Sequence, residues 1–149
     1  PQQWSLADVS LLSQAEAAAV DAALMPTPGF SVEALMELSG LSVASAVAEH
    51  YPPSRYPRVV AVIGPGGNGG DAMVASRHLI AMGYLVSAYY PRRNGRPLYQ
   101  SLVTTLDMMG VTWLDELPPP DARVVLLDGV FGFSFRPPLR APFDTLLSV

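Results

Sequence analysis

The chain of 149 residues has no cysteine. Disulfides, thiolate catalysis and cysteine metal sites are therefore excluded. Lysine is also absent, and all nine basic residues are arginine. That removes a P-loop lysine and any Schiff-base mechanism. No apolar run approaches the roughly 20 residues that a membrane helix needs, so no membrane association is expected. Positive charge is scarce: nine basic residues face 13 acidic ones, a net charge of −4. This argues against general nucleic-acid binding. No targeting peptide is visible; no compartment is assigned, cytoplasm and mitochondrion being the first expectations. What is present is a hydrophobic content of 50%, enough for one globular domain with a sizeable core.

The order of elements is legible from caps and breakers. Ser13-Gln14-Ala15-Glu16 forms a capping box, and a helix is predicted to run through Ala23 and stop before Pro26. Ser31 is a second N-cap. Leu35, Leu38, Val43 and Val47 mark an apolar stripe to about Ala48, with Gly40 as a close-packing or kink point. An alternating pattern follows. Strands are predicted at Arg58–Ile63, Leu85–Tyr90, Val111–Leu114 and Val124–Leu127, the last ending at Asp128. Helices are predicted at Asp71–Met82 and Leu98–Met109, closed by Gly83 and Gly110, with a last helix starting near Pro142. Leu117–Asp121 reads as a proline-rich loop. Short apolar strands alternating with helices imply a parallel, doubly wound α/β sheet of three layers, Rossmann-like. Ligands in such sheets bind at the carboxyl ends of the strands. Two loops sit there: Gly64–Asp71 and Asp128–Pro138.

The first loop reads G-P-G-G-N-G-G-D and contains a literal G-x-G-x-x-G at Gly64, Gly66 and Gly69. Glycines admit close backbone approach, and a helix start favours phosphate. A tight strand-to-helix turn is the plain structural alternative for the glycines, and a phosphate or nucleotide cradle the favoured reading. Asn68 and Asp71 exceed what a turn requires, although Asp71 also suits a cap near the helix N-terminus. A dinucleotide dehydrogenase would place an acid at the end of the next strand. That strand ends Ala88-Tyr89-Tyr90-Pro91-Arg92-Arg93, without one. Asp128 ends an apolar strand, where a carboxylate holds a cation or acts as acid or base. Together the Asn68 amide and the Asp128 carboxylate suit a hard cation over zinc. Arg92, Arg93, Arg96, Arg136 and Arg140 are candidates for phosphate contact, against the simpler reading of solvated surface charge. His78 reads as a packed helical residue, His50 as a partner of a helix C-terminus, and Met73, Met82, Met108 and Met109 as core filler.

These segments, taken in order, resemble the YjeF N-terminal domain family, the NAD(P)H-hydrate epimerases, which include apolipoprotein A-I-binding protein. Leu12–Glu16 with Asp21 resembles the opening helix of the family. Phe30–Gly40 is similar to its L-M-E-x-A-G helix. Gly64–Asp71 resembles its G-P-G-N-N-G-G-D loop, and Leu127–Phe135 its V-D-A-I-F-G-F-S-F segment. Arg77-His78-Leu79 and Tyr89–Arg93 fit as well. The resemblance implies an isomerase that interconverts the R and S forms of NADHX or NADPHX at C6 of the hydrated nicotinamide. It implies substrate contacts at Gly67, Asn68, Gly69, Gly70 and Asp71, and at Gly132, Phe133, Ser134, Phe135, Arg136, Pro137 and Pro138. Potassium would be held by Asn68 and Asp128. Asp128 is the first expectation for the acid or base, and Asp71 the second. The expected partners are a second copy of the chain, as a homodimer, and an NAD(P)H-hydrate dehydratase acting on the product.

Two departures stand out. The first Asn of the family loop is Gly67, and the Gly after the Asp is Ala72. Family members also continue through a later I-D-I-P-S-G-W segment, which supplies an Asp to the substrate and a Ser to the cation. Residues 1–149 therefore read as one such domain, incomplete at its C-terminus. Two other readings compete. One is a non-catalytic binding or scaffold module, akin to the RNA-decapping enhancer or to lipoprotein-linked relatives. The other is an NADPH-dependent reductase.

Overall fold

In the computed structural model, residues 10–146 are described, and the expected continuation of the last helix past Leu146 lies outside them. Helices α1 (Gln14–Leu24) and α2 (Val32–His50) precede strand β1 (Arg58–Ile63). Then come α3 (Gly67–Ala81), β2 (Leu85–Tyr89), α4 (Pro97–Met108), β3 (Thr112–Leu114), β4 (Val124–Gly129) and the short α5 (Phe143–Leu146). The four strands form one sheet in the order β3-β2-β1-β4, and every pairing is parallel. The Rossmann-like α/β expectation is met.

The caps act where the sequence places them. The Ser13 side chain accepts from Glu16 N, and the Glu16 carboxylate accepts from Ser13 N at 2.7 Å, completing the capping box. Ser31 accepts from Ala34 N at 3.1 Å. Gly83 and Gly110 follow α3 and α4 with φ of 93° and 78°, a left-handed conformation that glycine adopts without strain.

The largest boundary correction concerns α3. The expected start at Asp71 moves back to Gly67, so the glycine loop is itself the first turn of the helix. Glycine is a poor helix former, by about 1 kcal/mol per residue. Tertiary packing overrides that tendency here. A Cβ on Gly69 would overlap the Gly64 carbonyl, and one on Gly70 would overlap the Met36 side chain. Asp71 consequently lies in the second turn and is not the cap; the N-cap is Gly66.

Alternation along β1 divides the core. Val59, Ala61 and Ile63 face α2, α3 and α4, where Met73, Leu79 and Leu106 are fully buried. Val62 faces the other side and packs with Val130 and Phe143. α2 lies chiefly on α3, and Gly40 is a close-packing point, as a Cβ there would overlap Val74. Glu37 clamps the two helices by binding both Arg77 and His78, the latter at 2.7 Å. His78 is thus a packing residue. Of the methionines expected as core filler, Met73 is fully buried and Met109 half-buried, whereas Met82 and Met108 are exposed.

Candidate functional site

The chain runs from β1 to β2 to β3 in one direction across the sheet and then returns to place β4 on the other side of β1. That reversal opens a crevice between the carboxyl ends of β1 and β4, the usual ligand position in such sheets. The two sequence-selected loops both emerge there, and they are in close contact. Gly64 N donates to Gly129 O at 3.0 Å. A Cβ on Gly64 would overlap the Val130 carbonyl, and one on Gly129 would overlap the Ala72 side chain. These glycines hold the loops together. Gly66 and Gly67 differ, as a Cβ on either would meet nothing within 4 Å. The open part of the motif is therefore confined to two residues.

One cleft of about 550 Å³ lies on this crevice. Its polar lining comprises Asp21, Ser39, Asn68, Asp71 and Ser134, beside Gly67, Gly132 and Phe133. Its apolar wall comes from α1 and α2, including Met25, Leu35 and Met36. Asp71 is half-buried. Burial first, and the negative charge of Asp21 second, push its pKa up to about 6. The group therefore carries a proton part of the time near neutral pH, which suits proton transfer.

Asn68 and Asp128 are placed at the same end of adjacent elements. Asn68 Nδ2 donates to Phe131 O at 3.0 Å, and its Oδ1 has no donor among the described residues. Asp128 Oδ1 accepts from Val130 N at 2.9 Å. The carboxylate is exposed on the edge strand and does not line the 550 Å³ cleft. Asp71 does, so the geometry favours Asp71 over Asp128 as the group beside a ligand. Oxygen atoms of Asn68 and Asp128 are the donor type that a hard monovalent cation takes. Among the described residues no three His, Asp or Glu side chains group to hold a metal ion.

The loop after β4 separates two clefts. Gly132, Phe133 and Ser134 line the first. Phe135, Arg136 and Pro138 line a second, of about 240 Å³, together with Pro65, Arg92 and Arg140. Pro137 lines neither. Gln14 of α1 donates its side-chain amide to the carbonyls of Phe133 and, at 3.2 Å, Phe135, fixing the wall. Of the other candidate arginines, Arg93 stacks on Trp113 at 4.5 Å, and Arg96 is the N-cap residue of α4.

Sequence reasoning overlooked Asp21 as a site residue. A signal existed: Ala18, Asp21, Ala22 and Met25 share one helical face of α1, so an acid stands on an apolar stripe. Asn94 was also missed. Its side chain donates to Pro65 O at 2.7 Å and its backbone N–H to Tyr90 Oη at 2.8 Å, tying the turn after β2 to the glycine loop. Asn94-Gly95 is a turn dipeptide, which was the available signal. A larger cavity, about 790 Å³, lies at the opposite end of the sheet, where Arg58 and Asp121 form an ion pair.

A parallel sheet with a glycine-loop helix at its switch point and a half-buried acid in the cleft defines an α/β ligand-binding domain of Rossmann type. The chain belongs to the YjeF family: residues 32–149 match the description YjeF-related protein N-terminus. It is 35% identical to yeast ynu0, YNL200c, whose crystal structure superimposes with a TM-score of 0.83 over 94% of this chain and 64% of that one. It is also 48% identical over 143 residues to pyridoxine/pyridoxamine 5'-phosphate oxidase 1, chloroplastic, of Arabidopsis thaliana. That alignment takes in 93% of this chain and 27% of the relative. The chain thus spans less than two thirds of the length of either protein.

Proposed function

We propose that the protein is an NAD(P)H-hydrate epimerase that interconverts the R and S forms of NADHX or NADPHX. The observation that carries this reading is Asp71, a half-buried acid with its pKa at about 6, in a cleft edged by the glycine loop and the Gly132–Ser134 segment. In the substrate, C6 carries a hydroxyl beside the ring nitrogen. Protonating that hydroxyl assists its departure as water, and the nitrogen lone pair supports the cation left behind. Return of water to the other face, with its proton given up, yields the epimer. No redox change occurs, and the proton lent to the leaving hydroxyl is balanced by the one that the returning water gives up, to the same carboxyl through a bridging water or to solvent. Asp71 is assigned that role; burial first, and the charge of Asp21 second, favour its protonated form. Met25, Leu35 and Met36 exclude water from one side of the ring. Open space at Gly66 and Gly67 lets the ligand approach the amino end of α3, where N–H groups face the phosphates.

Asn68 and Asp128 are assigned as potassium ligands; the ion, when bound, supplies positive charge beside the phosphates. The epimer formed would pass to a dehydratase specific for one form. The test gives R-NADHX and an S-specific dehydratase to the protein, with and without potassium. R consumption above the spontaneous rate is expected. Its absence sinks the epimerase reading and leaves the non-catalytic module. Hydride transfer from ordinary NADPH, read by absorbance, marks the reductase instead. Asp71→Asn is expected to lower kcat about 100-fold or more. Asp128→Ala should raise the potassium requirement about tenfold or more, with smaller loss at saturating ion.

A further inference from the structure

Five arginines cluster near the carboxyl ends of the strands, and the structure separates them by use. Arg93 stacks on Trp113, and Arg96, the N-cap residue of α4, does not line the cleft. The remaining three, Arg92, Arg136 and Arg140, line the 240 Å³ cleft. They come from different places: Arg92 from the turn after β2, Arg136 and Arg140 from the loop after β4. No carboxylate lines this cleft, and none of the three has an ion-pair partner among the described residues. In a chain of net charge −4, three of nine arginines thus converge on one small concavity.

All three arginines are exposed, and the concavity they share is shaped by packed residues. Its floor is an aromatic cluster: Phe131 packs on Phe135 with ring centroids 4.6 Å apart and edge-on to Phe143 at 5.4 Å. Pro65 of the glycine loop forms another side and is held by the Asn94 side chain, two residues from Arg92. Cleft volumes for whole ligands run from roughly 300 to 1,000 Å³, so this one suits a fragment. Guanidinium groups with no carboxylate among them, beside an aromatic floor, suit a phosphate dianion and the sugar or ring that bears it.

We infer that Arg92, Arg136 and Arg140 form a phosphate-monoester subsite, separated from the Asp71 cleft by the loop after β4. The site itself does not depend on the epimerase reading. Its assignment to the 2′-phosphate of NADPHX does rest on it, and implies that the phosphorylated nucleotide is preferred over NADHX. A diphosphate bridge carries no monoester, so the 2′-phosphate is the group that distinguishes the two substrates.

Calorimetric titration of the protein with 2′-phospho-ADP-ribose and with ADP-ribose tests the site without any turnover. The phosphorylated ligand is expected to bind about tenfold or more tightly. That advantage should fall below about threefold in Arg92→Ala/Arg140→Ala, with the fold checked by circular dichroism. It should persist in Arg55→Ala, which removes a guanidinium at the other end of β1. Inorganic phosphate is the second arm. If it competes away the advantage at millimolar concentration, the site is general for phosphate; if it does not, the nucleotide is the source. Equal binding of the two ligands by the wild-type protein overturns the proposal, as does an advantage unchanged in the double variant. Failure of the epimerase reading shows separately, as absent R-NADHX turnover with the binding difference intact.

Discussion

Asp71 shows how one residue's neighbours set its chemistry. Its folded pKa of about 6 stands above its ordinary value of 3.8, so the folded state holds the proton more tightly than the unfolded chain. The resulting stabilisation is fully present below pH 3.8 and is lost as pH rises through about 6. With allowance for partial exposure, the loss is on the order of 2 kcal/mol. Denaturant titrations between pH 3.5 and 7 should therefore show wild type losing stability relative to Asp71→Asn as pH rises. Parallel curves would place the Asp71 carboxyl in ordinary solvent. The glycines offer a second contrast. Gly64→Ala forces a Cβ into the Val130 carbonyl and should cost about 1–3 kcal/mol. Gly67→Asn enters open space at an exposed helix start and should change stability by less than about 0.5 kcal/mol. Midpoints of chemical unfolding for the two variants compare them directly. The residue pattern G-x-G-x-x-G could not separate these roles, because a glycine needed for packing and one left open for a ligand are the same letter.

The helices differ in what holds them. α2 buries Met36, Gly40 and Ala44, whereas α1 buries none of its side chains. Both begin with a serine cap, yet the two caps should not weigh equally on global unfolding. Ser31→Ala is expected to lower global stability by about 1 kcal/mol, since α2 unfolds with the core. Ser13→Ala should leave the global midpoint in place and speed hydrogen exchange within α1 alone. A fall in midpoint for Ser13→Ala equal to that for Ser31→Ala would show α1 to be part of the cooperative core. Element boundaries followed capping chemistry closely, because caps, prolines and closing glycines act within a few residues. α3 was the exception, as its first turn packs closely on Gly64 and on Met36, the latter distant in sequence.

Across the molecule, α2 exposes Leu38 and Leu41, three residues apart on one side of the helix. We propose that a second copy covers this face, giving the homodimer implied by the family resemblance. Sedimentation velocity should report a dimer at micromolar concentration, and Leu38→Glu should shift it to monomer. A monomer in the wild type at such concentrations would end the proposal. Among the described residues no helix is long and apolar enough to cross a membrane. Absence of cysteine and lysine, the alternation of strands and helices, and the two loops at strand ends all followed from the sequence, since each depends on residue identity or on short-range periodicity. The strand order, with β4 returning beside β1, came from the tertiary structure. So did the choice of Asp71 over Asp128 for the cleft and the meeting of Arg92 with Arg136 and Arg140. Those outcomes depend on contacts between segments tens of residues apart, and burial, which sets both the pKa of Asp71 and the room at Gly67, exists only once those segments have packed.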